Sequence, residues 1–357
     1  MLQAPDPETG RHIAHIVCHG SEYFQRAMIA DAHNDLLLEL VLRRDEPNPF
    51  ASHWLPKLRA GGVTLQVCAL YTGGGPVEKT RATADELLHA FRRAFDENGD
   101  VVFQVRSRED LAAADDRIGL LLSLEGVEAL GDDPSAFAHF WDAGVRMAGL
   151  THNVPNAFAG GLDTPDQGLT DRGRALVDDL AARGVVIDLA HASETTFNEI
   201  LERAPAATVI VSHACCRAVH DVPRNLSDEQ LTALAERGGF LGMMALVLTV
   251  GGDASIERLI DHLDHAVDVM GAEHVGLGTD VIDQVTESEL AFGNELLPIV
   301  VAAREAGGGR LGLRDFTGPE HFPELVAALR ARGYDGERLE GILAGNLRRV
   351  LGRSLPL

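Results

Sequence analysis

The sequence predicts a (β/α)8 barrel, and three observations carry that prediction. Eight short apolar runs are spread along the chain, and longer amphipathic segments separate them. Polar side chains gather at the C-terminal ends of most of the runs. Strands that alternate with helices pair in parallel through right-handed crossovers, and eight of them suggest a closed barrel. At 357 residues the chain suits one such barrel with insertions, so residues 1–357 are read as a single domain.

Residues 1–27 precede the first run and are expected to form an N-terminal helical preface. The runs cover 28–36, 64–71, 118–126, 147–152, 184–191, 208–214, 239–246 and 274–280. Most are nearly continuously apolar until their last residues, as a strand covered on both faces must be. Between them, 170–184 opens with Thr170 in the N-cap position and closes on Gly184, suited to the residue just past a helix. The segment 227–239 repeats that grammar, and 254–271 carries apolar residues at three-to-four spacing. After Asp280, helical patterns at 320–333 and 337–352 are expected to supply the eighth helical layer and a C-terminal helical extension.

The formal net charge of −23 argues against nucleic acid and against anionic membranes as partners, and favours solubility and divalent cations. Cys18, Cys68, Cys215 and Cys216 form no spaced pattern, which reads as reduced thiols in a cytoplasmic protein. No basic stretch followed by an apolar run opens the chain, so no signal peptide is expected. No stretch approaches the roughly 18 apolar residues of a membrane span.

Position supplies the functional signal. The first run ends in His33, Asn34 and Asp35, the third in Glu125, the fourth in His152, the fifth in His191, the sixth in His213 and the eighth in Asp280. A barrel strand needs no polar residue there for stability, and those ends converge on the face where barrel active sites are built. His33 and Asp35 are two apart on a strand, so both point to one side and can grip one ion. Glu125 has two carboxylate oxygens and can bridge two ions, while His191 and His213 come from neighbouring strands and suit a second. His, Asp and Glu without cysteine fit Zn2+ or a similar divalent ion in an open catalytic site. Two such ions activate a bridging water and polarise a carbonyl. Asp280 then suits the general base and His152 a hydrogen bond to the developing oxyanion. A carboxylated lysine cannot be the bridge, because the only lysines, Lys57 and Lys79, lie outside the runs.

These residues resemble the membrane (renal) dipeptidase family. The resemblance runs from about Met28 to Leu351 through DAHNDL (31–36), SLEGVEAL (123–130), GVRMAGLTHNVPNAFA (144–159), the stretches 168–193, 209–239 and 262–280, and GNLRRVLG (345–352). It implies a (β/α)8 barrel with a binuclear zinc site. His33, Asp35 and Glu125 would hold one zinc, and Glu125, His191 and His213 the other. Asp280 would be the catalytic aspartate and His152 a substrate-contacting histidine. Arg224, in the Pro-Arg-Asn turn, would bind the substrate carboxylate, which suits an arginine fork. Asn225 would support Arg224, and Tyr71, at the end of the second run, is a further candidate for the same carboxylate. The implied reaction is hydrolysis of dipeptides, often with a D-residue at the C-terminal position, by a soluble homodimer.

The chain departs from the family beside the site. Val281, Ile282 and Asp283 stand where the family usually has Phe-Asp-Gly. Asn156, Ala157, Phe158 and Ala159 replace a frequent Pro-Trp, and Leu37 replaces a proline. These departures leave open a different small amide, or a modified amino-acid conjugate in a biosynthetic pathway; a metal-binding protein without catalysis is the third reading. His53, His89, His139, His220, His262 and His265 are read as surface or packing histidines, and His274, at the start of a strand, as structural.

Overall fold

The computed structural model describes residues 27–113, 117–281, 305 and 307–357. The expected preface at 1–27 lies outside the described residues apart from Ala27, as do Cys18, Ile282 and Asp283. All eight expected strands form: β1 (Ile29–Asn34), β2 (Val63–Tyr71), β4 (Ile118–Glu125), β5 (Val145–Gly149), β6 (Val186–Asp188), β7 (Val209–Ala214), β8 (Leu241–Met243) and β9 (Val275–Leu277). Every neighbouring pair is parallel, and pairing of β2 with β4 and of β1 with β9 closes the barrel. One strand was not foreseen. β3 (Val102–Gln104) pairs with the first half of β4, from Ile118 to Leu120, and β5 takes over that edge from Leu122 onward. It therefore flanks the barrel at its N-terminal rim instead of adding a stave.

Register aligns the strand ends that matter. Tyr71 pairs with Glu125, Glu125 with Gly149, and Gly149 with Asp188, so these residues share one level at the C-terminal mouth. The helices follow the signals in the sequence. Thr170 caps helix Asp171–Arg183 through the Gly173 amide, and Gly184 ends it in a left-handed conformation. Ser227 and Gln230 form a capping box on helix Asp228–Glu236. Ser255 caps helix Ile256–Met270.

The core has two layers with different jobs. Most buried apolar side chains lie between barrel and helices, from Phe50 and Trp54 to Phe322 and Leu329. A second cluster joins barrel residues (Ala30, Leu65, Leu121, Val186, Ile210, Phe240) to Leu347, Val350 and Leu351 of the C-terminal helix Asn346–Ser354. That helix closes the N-terminal end of the barrel. Asn346 donates to Val275 O, Arg348 to Thr64 Oγ1 and Ser354 to Gly184 O, all at or next to strand starts. The expected extension is thus a plug, and helix Phe322–Ala331 forms the outer layer against helix Ile256–Met270. With one end sealed, chemistry is confined to the other mouth. Among the described residues no helix is long and apolar enough to cross a membrane.

Candidate metal centre

The mouth collects side chains from every part of the chain. His33 lies on β1 with Asp35 just beyond it, Glu125 ends β4, and His213 lies on β7. His152 and His191 each stand three residues past a strand, β5 and β6, and Asp280 stands three past β9. His191 and Asp280 have φ of 63° and 54°, in the left-handed region that non-glycine residues rarely adopt. Such strain persists only where surrounding bonds over-determine the backbone, and it clusters at functional sites. Here the Leu162 amide donates to His191 O, and the Asp280 amide to His33 O.

Glu125 is the hub. Its Oε1 lies 3.1 Å from His191 Nε2, 3.5 Å from His213 Nε2 and 3.6 Å from His33 Nε2. Asp280 Oδ1 lies 3.5 Å and Asp35 Oδ1 4.0 Å from the same His33 nitrogen. Three overlapping groups have donor atoms close enough to share an ion: His33, Glu125 and His213; Glu125, His152 and His191; His33, Asp35 and Asp280. The structure thus brings together all of His33, Asp35, Glu125, His152, His191, His213 and Asp280.

Whether a cation fits can be tested on the imidazoles. His191 Nε2 and His213 Nε2 are 2.9 Å apart. The carboxamide oxygen Asn153 Oδ1 lies 2.8 Å from His191 Nδ1, and an oxygen there can only accept, so Nδ1 carries the hydrogen. Ser212 Oγ donates to Asp188 Oδ2 and lies 2.7 Å from His213 Nδ1, so it accepts from that ring nitrogen. Both Nε2 atoms then present lone pairs to each other beside Glu125, and among the described residues only the His191 nitrogen has a nearby donor, Arg224 Nη2 at 3.2 Å, so a cation placed between them would satisfy both. His33 Nε2 and Asp35 Oδ1 are likewise buried without a hydrogen-bond partner. This nitrogen and oxygen donor set suits a divalent metal.

Electrostatics agree. Burial, reinforced by the Arg224 charge, lowers His33 and His152 to about 3, and holds His191 and His213 well below the usual histidine range. The imidazoles are therefore neutral, as ligands must be. Burial pushes Asp35 up to about 7, and burial plus the Asp35 charge pushes Glu125 and Asp280 well above the carboxylate range. Carboxyls that resist ionising together are those a cation would stabilise.

Four supporting residues escaped the sequence reading. Asp188 and Ser212 form the relay behind His213, and Asn153 fixes the tautomer of His191. Asp31, wholly buried and raised to about 6 by that burial, accepts from the Thr279 amide and hydroxyl and so ties β1 to the residue before Asp280. For three of them the signal was a polar residue inside an apolar run: Asp188 three before His191, Ser212 next to His213, Asp31 two before His33; Asn153, just past the fourth run, gave none. Ligands held in this way by neighbours keep their orientation and basicity.

Above these groups lies a cavity of about 440 Å3. Asp35, Glu125, Asp280, His152 and His191 form its polar part, with Tyr71, Asn153, Asp163, Thr249 and Arg224. Tyr71 packs edge-on against His152, with ring centroids 4.8 Å apart. Arg224 is partly buried; its Nη2 donates to His213 O at 2.7 Å and lies 3.2 Å from His191 Nε2. Asn225 donates to His220 O and Thr249 O, which fixes the turn carrying Arg224. The departure at 156–159 is structural: Asn156 donates to Leu150 O, and Phe158 is fully buried. Outside the site, His262 is a buried packing residue bonded to the Cys216 amide and Val250 O, and His274 Nδ1 lies 2.8 Å from Gly239 O.

Comparison with known proteins points the same way. A model of the Membrane dipeptidase family (Peptidase family M19) matches residues 20–290. An uncharacterized dipeptidase of Schizosaccharomyces pombe is 28% identical over 365 residues, covering 92% of this chain and 81% of the relative. Dipeptidase 3 of Macaca fascicularis is 31% identical over 347 residues, covering 90% of this chain and 64% of the relative. Among solved structures, dipeptidase AC, an M19 metallo peptidase, superposes with a TM-score of 0.80 at 24% identity, covering 93% of this chain and 100% of that one. A metallo peptidase from Rhodobacter sphaeroides, liganded with a phosphinate mimic of the dipeptide L-Ala-D-Ala, has a TM-score of 0.79 at 24% identity, covering 92% and 99%. The two structures speak for the fold, and the family match spans most of the chain. The chain belongs to the membrane dipeptidase family, peptidase family M19, and is a metallo-dipeptidase.

Proposed function

We propose that the protein hydrolyses the amide bond of dipeptides at a binuclear zinc centre, with Glu125 shared between the two ions. His33 and Asp35 complete one ligand set, and His191 and His213 the other. The observation that carries this reading is the pair of imidazole lone pairs facing each other across 2.9 Å beside Glu125. Bound divalent ions lower the pKa of water and polarise a carbonyl.

The chain's own residues supply the rest. Asp280 takes the proton of the attacking water and passes it to the leaving amine. His152 is neutral and lines the cavity, so it donates a hydrogen bond to the carbonyl oxygen as that atom gains charge. His33 and His213 lie beneath the cavity lining, which supports ligand roles for them. Arg224 Nε has no hydrogen-bond partner, so the guanidinium retains a donor for the substrate's C-terminal carboxylate. Asn225 holds the Arg224 turn in place, and Tyr71 faces the same cavity. A volume of about 440 Å3 lies near the small end of the roughly 300–1,000 Å3 of small-molecule sites, which suits two amino-acid residues.

The test is release of free amino acids from a panel of L-L and L-D dipeptides by zinc-supplemented protein. Turnover of panel members is expected. Metal-loaded, folded protein that releases nothing from any of them would transfer the site to another amide.

A further inference from the structure

Strand ends around the mouth deliver polar groups, with one exception. β8 is followed by Met244, and then by Leu246 and Leu248 on the next segment. All three line the cavity, joined by Leu311 and by Val222 and Pro223 of the Arg224 turn. Leu246 and Leu248 are half-buried, whereas Val247 between them is buried against Leu38 and Leu311. Leu246 and Leu248 also pack on that cluster while lining the cavity, so the wall has an apolar backing.

Barrel order fixes where this wall stands relative to a bound dipeptide. Arg224 comes from the loop after β7, the wall from the loop after β8, and these strands are neighbours. Asn225 fastens the two loops directly through Thr249 O at 2.8 Å. Leu246 bridges to Gly312, and the Val247 amide donates to Leu311 O, which brings Leu311 to the same side. Tyr71 on β2 and Asn153 after β5 lie elsewhere around the mouth. A substrate whose carboxylate reaches Arg224 therefore sets its C-terminal side chain against the leucine wall. Of the charged residues that line the cavity, Asp35, Glu125, Asp163, Arg224 and Asp280, only Arg224 comes from the segments that form this wall.

We infer that the protein selects dipeptides with an apolar C-terminal side chain, and that Leu246 and Leu248 are the residues that select it. The inference rests on the dipeptide reading of the site. With Arg224 engaged by the substrate's own carboxylate, an acidic or basic side chain there would lose its hydration without gaining a partner. A hydrophobic contact of one or two methylenes discriminates by roughly tenfold or more.

The experiment compares kcat/KM for Ala-Leu, Ala-Gly, Ala-Asp and Ala-Lys in the zinc-loaded full chain. Ala-Leu is expected to exceed Ala-Asp and Ala-Lys by at least about tenfold. Leu248→Arg should raise the ratio of Ala-Asp to Ala-Leu, and Leu248→Ala, a truncation at a half-buried position, should narrow the ratio of Ala-Leu to Ala-Gly. Ratios that stay constant in both variants, or equal values across the four substrates, overturn the inference while leaving the dipeptidase reading intact. No turnover of any dipeptide removes both.

Discussion

Behind His213 stands a chain of two hydrogen bonds, ring to Ser212 hydroxyl to Asp188 carboxylate. Ser212→Ala deletes the acceptor that fixes the ring tautomer and leaves a buried carboxylate short of a partner. Metal affinity should fall by roughly 10–100-fold, the usual scale for such supporting groups. Competition with a fluorescent chelator reads it directly, and unchanged affinity would mean the relay is only structural. Asp280 is a different case. Asp280→Asn should keep the metals and lower kcat by roughly 10²-fold or more, because the general base is gone while the ligands remain. Metal loss in that variant would instead make Asp280 a ligand, a role its 3.5 Å approach to His33 Nε2 permits. Arg224→Ala should raise KM for free dipeptides far more than for C-terminally amidated ones; an equal rise would remove it from the carboxylate.

At the scale of elements, the proposed ligands depend on how closely the last strands approach. A Cβ on Gly278 would fall deep inside contact with the carbonyl of Ser212, the residue before His213. Gly278→Ala should therefore cost about 1–3 kcal/mol of stability, as overpacking does, and should loosen metal binding as well. Thermal melts with and without zinc separate the two effects, and a variant that melts like the parent would show that β7 and β9 have slack. The eight staves were legible because each is an apolar run and most end in polar residues, and the caps at Thr170 and Ser227 because they obey local hydrogen-bonding rules. β3 was not legible: three residues pairing with half a strand leave no periodicity to read. The plug at Asn346–Ser354 was visible as a helix but not as a plug, since its place depends on contacts with Thr64, Gly184 and Val275, far away in sequence. The residues that meet at the mouth could be read from position alone. Asp31, Asn153, Asp188 and Ser212 could not, because their function lies in which side chain they touch.

For the whole molecule, the charges gathered at the mouth couple stability to pH and to metal. Without a cation, Asp35 ionises at about 7 in the folded protein against an ordinary 3.8, and Glu125 and Asp280 are raised too. A folded pKa above the unfolded one gives stability that is lost as pH rises through the folded value. His33 and His152 at about 3, and His262 at about 4, act oppositely, losing stability as pH falls below 6.5. Between pH 6.5 and 8 the carboxylates dominate the change, so metal-free protein should melt at progressively lower temperature over that range. Metal binding displaces those protons and strengthens over the same range. The gap in melting temperature between zinc-loaded and chelator-treated protein should widen with pH, and a gap that is constant or narrows would contradict the assignment of these groups to one centre.

The central claim is that two metal ions share Glu125 and that both are needed for dipeptide hydrolysis. Its most direct test is to strip the protein of metal and titrate it with zinc while following dipeptide cleavage and bound metal together. Activity should rise to a plateau at two zinc ions per chain, as a two-metal site requires. A plateau at one ion, or cleavage that survives complete metal removal, would contradict it.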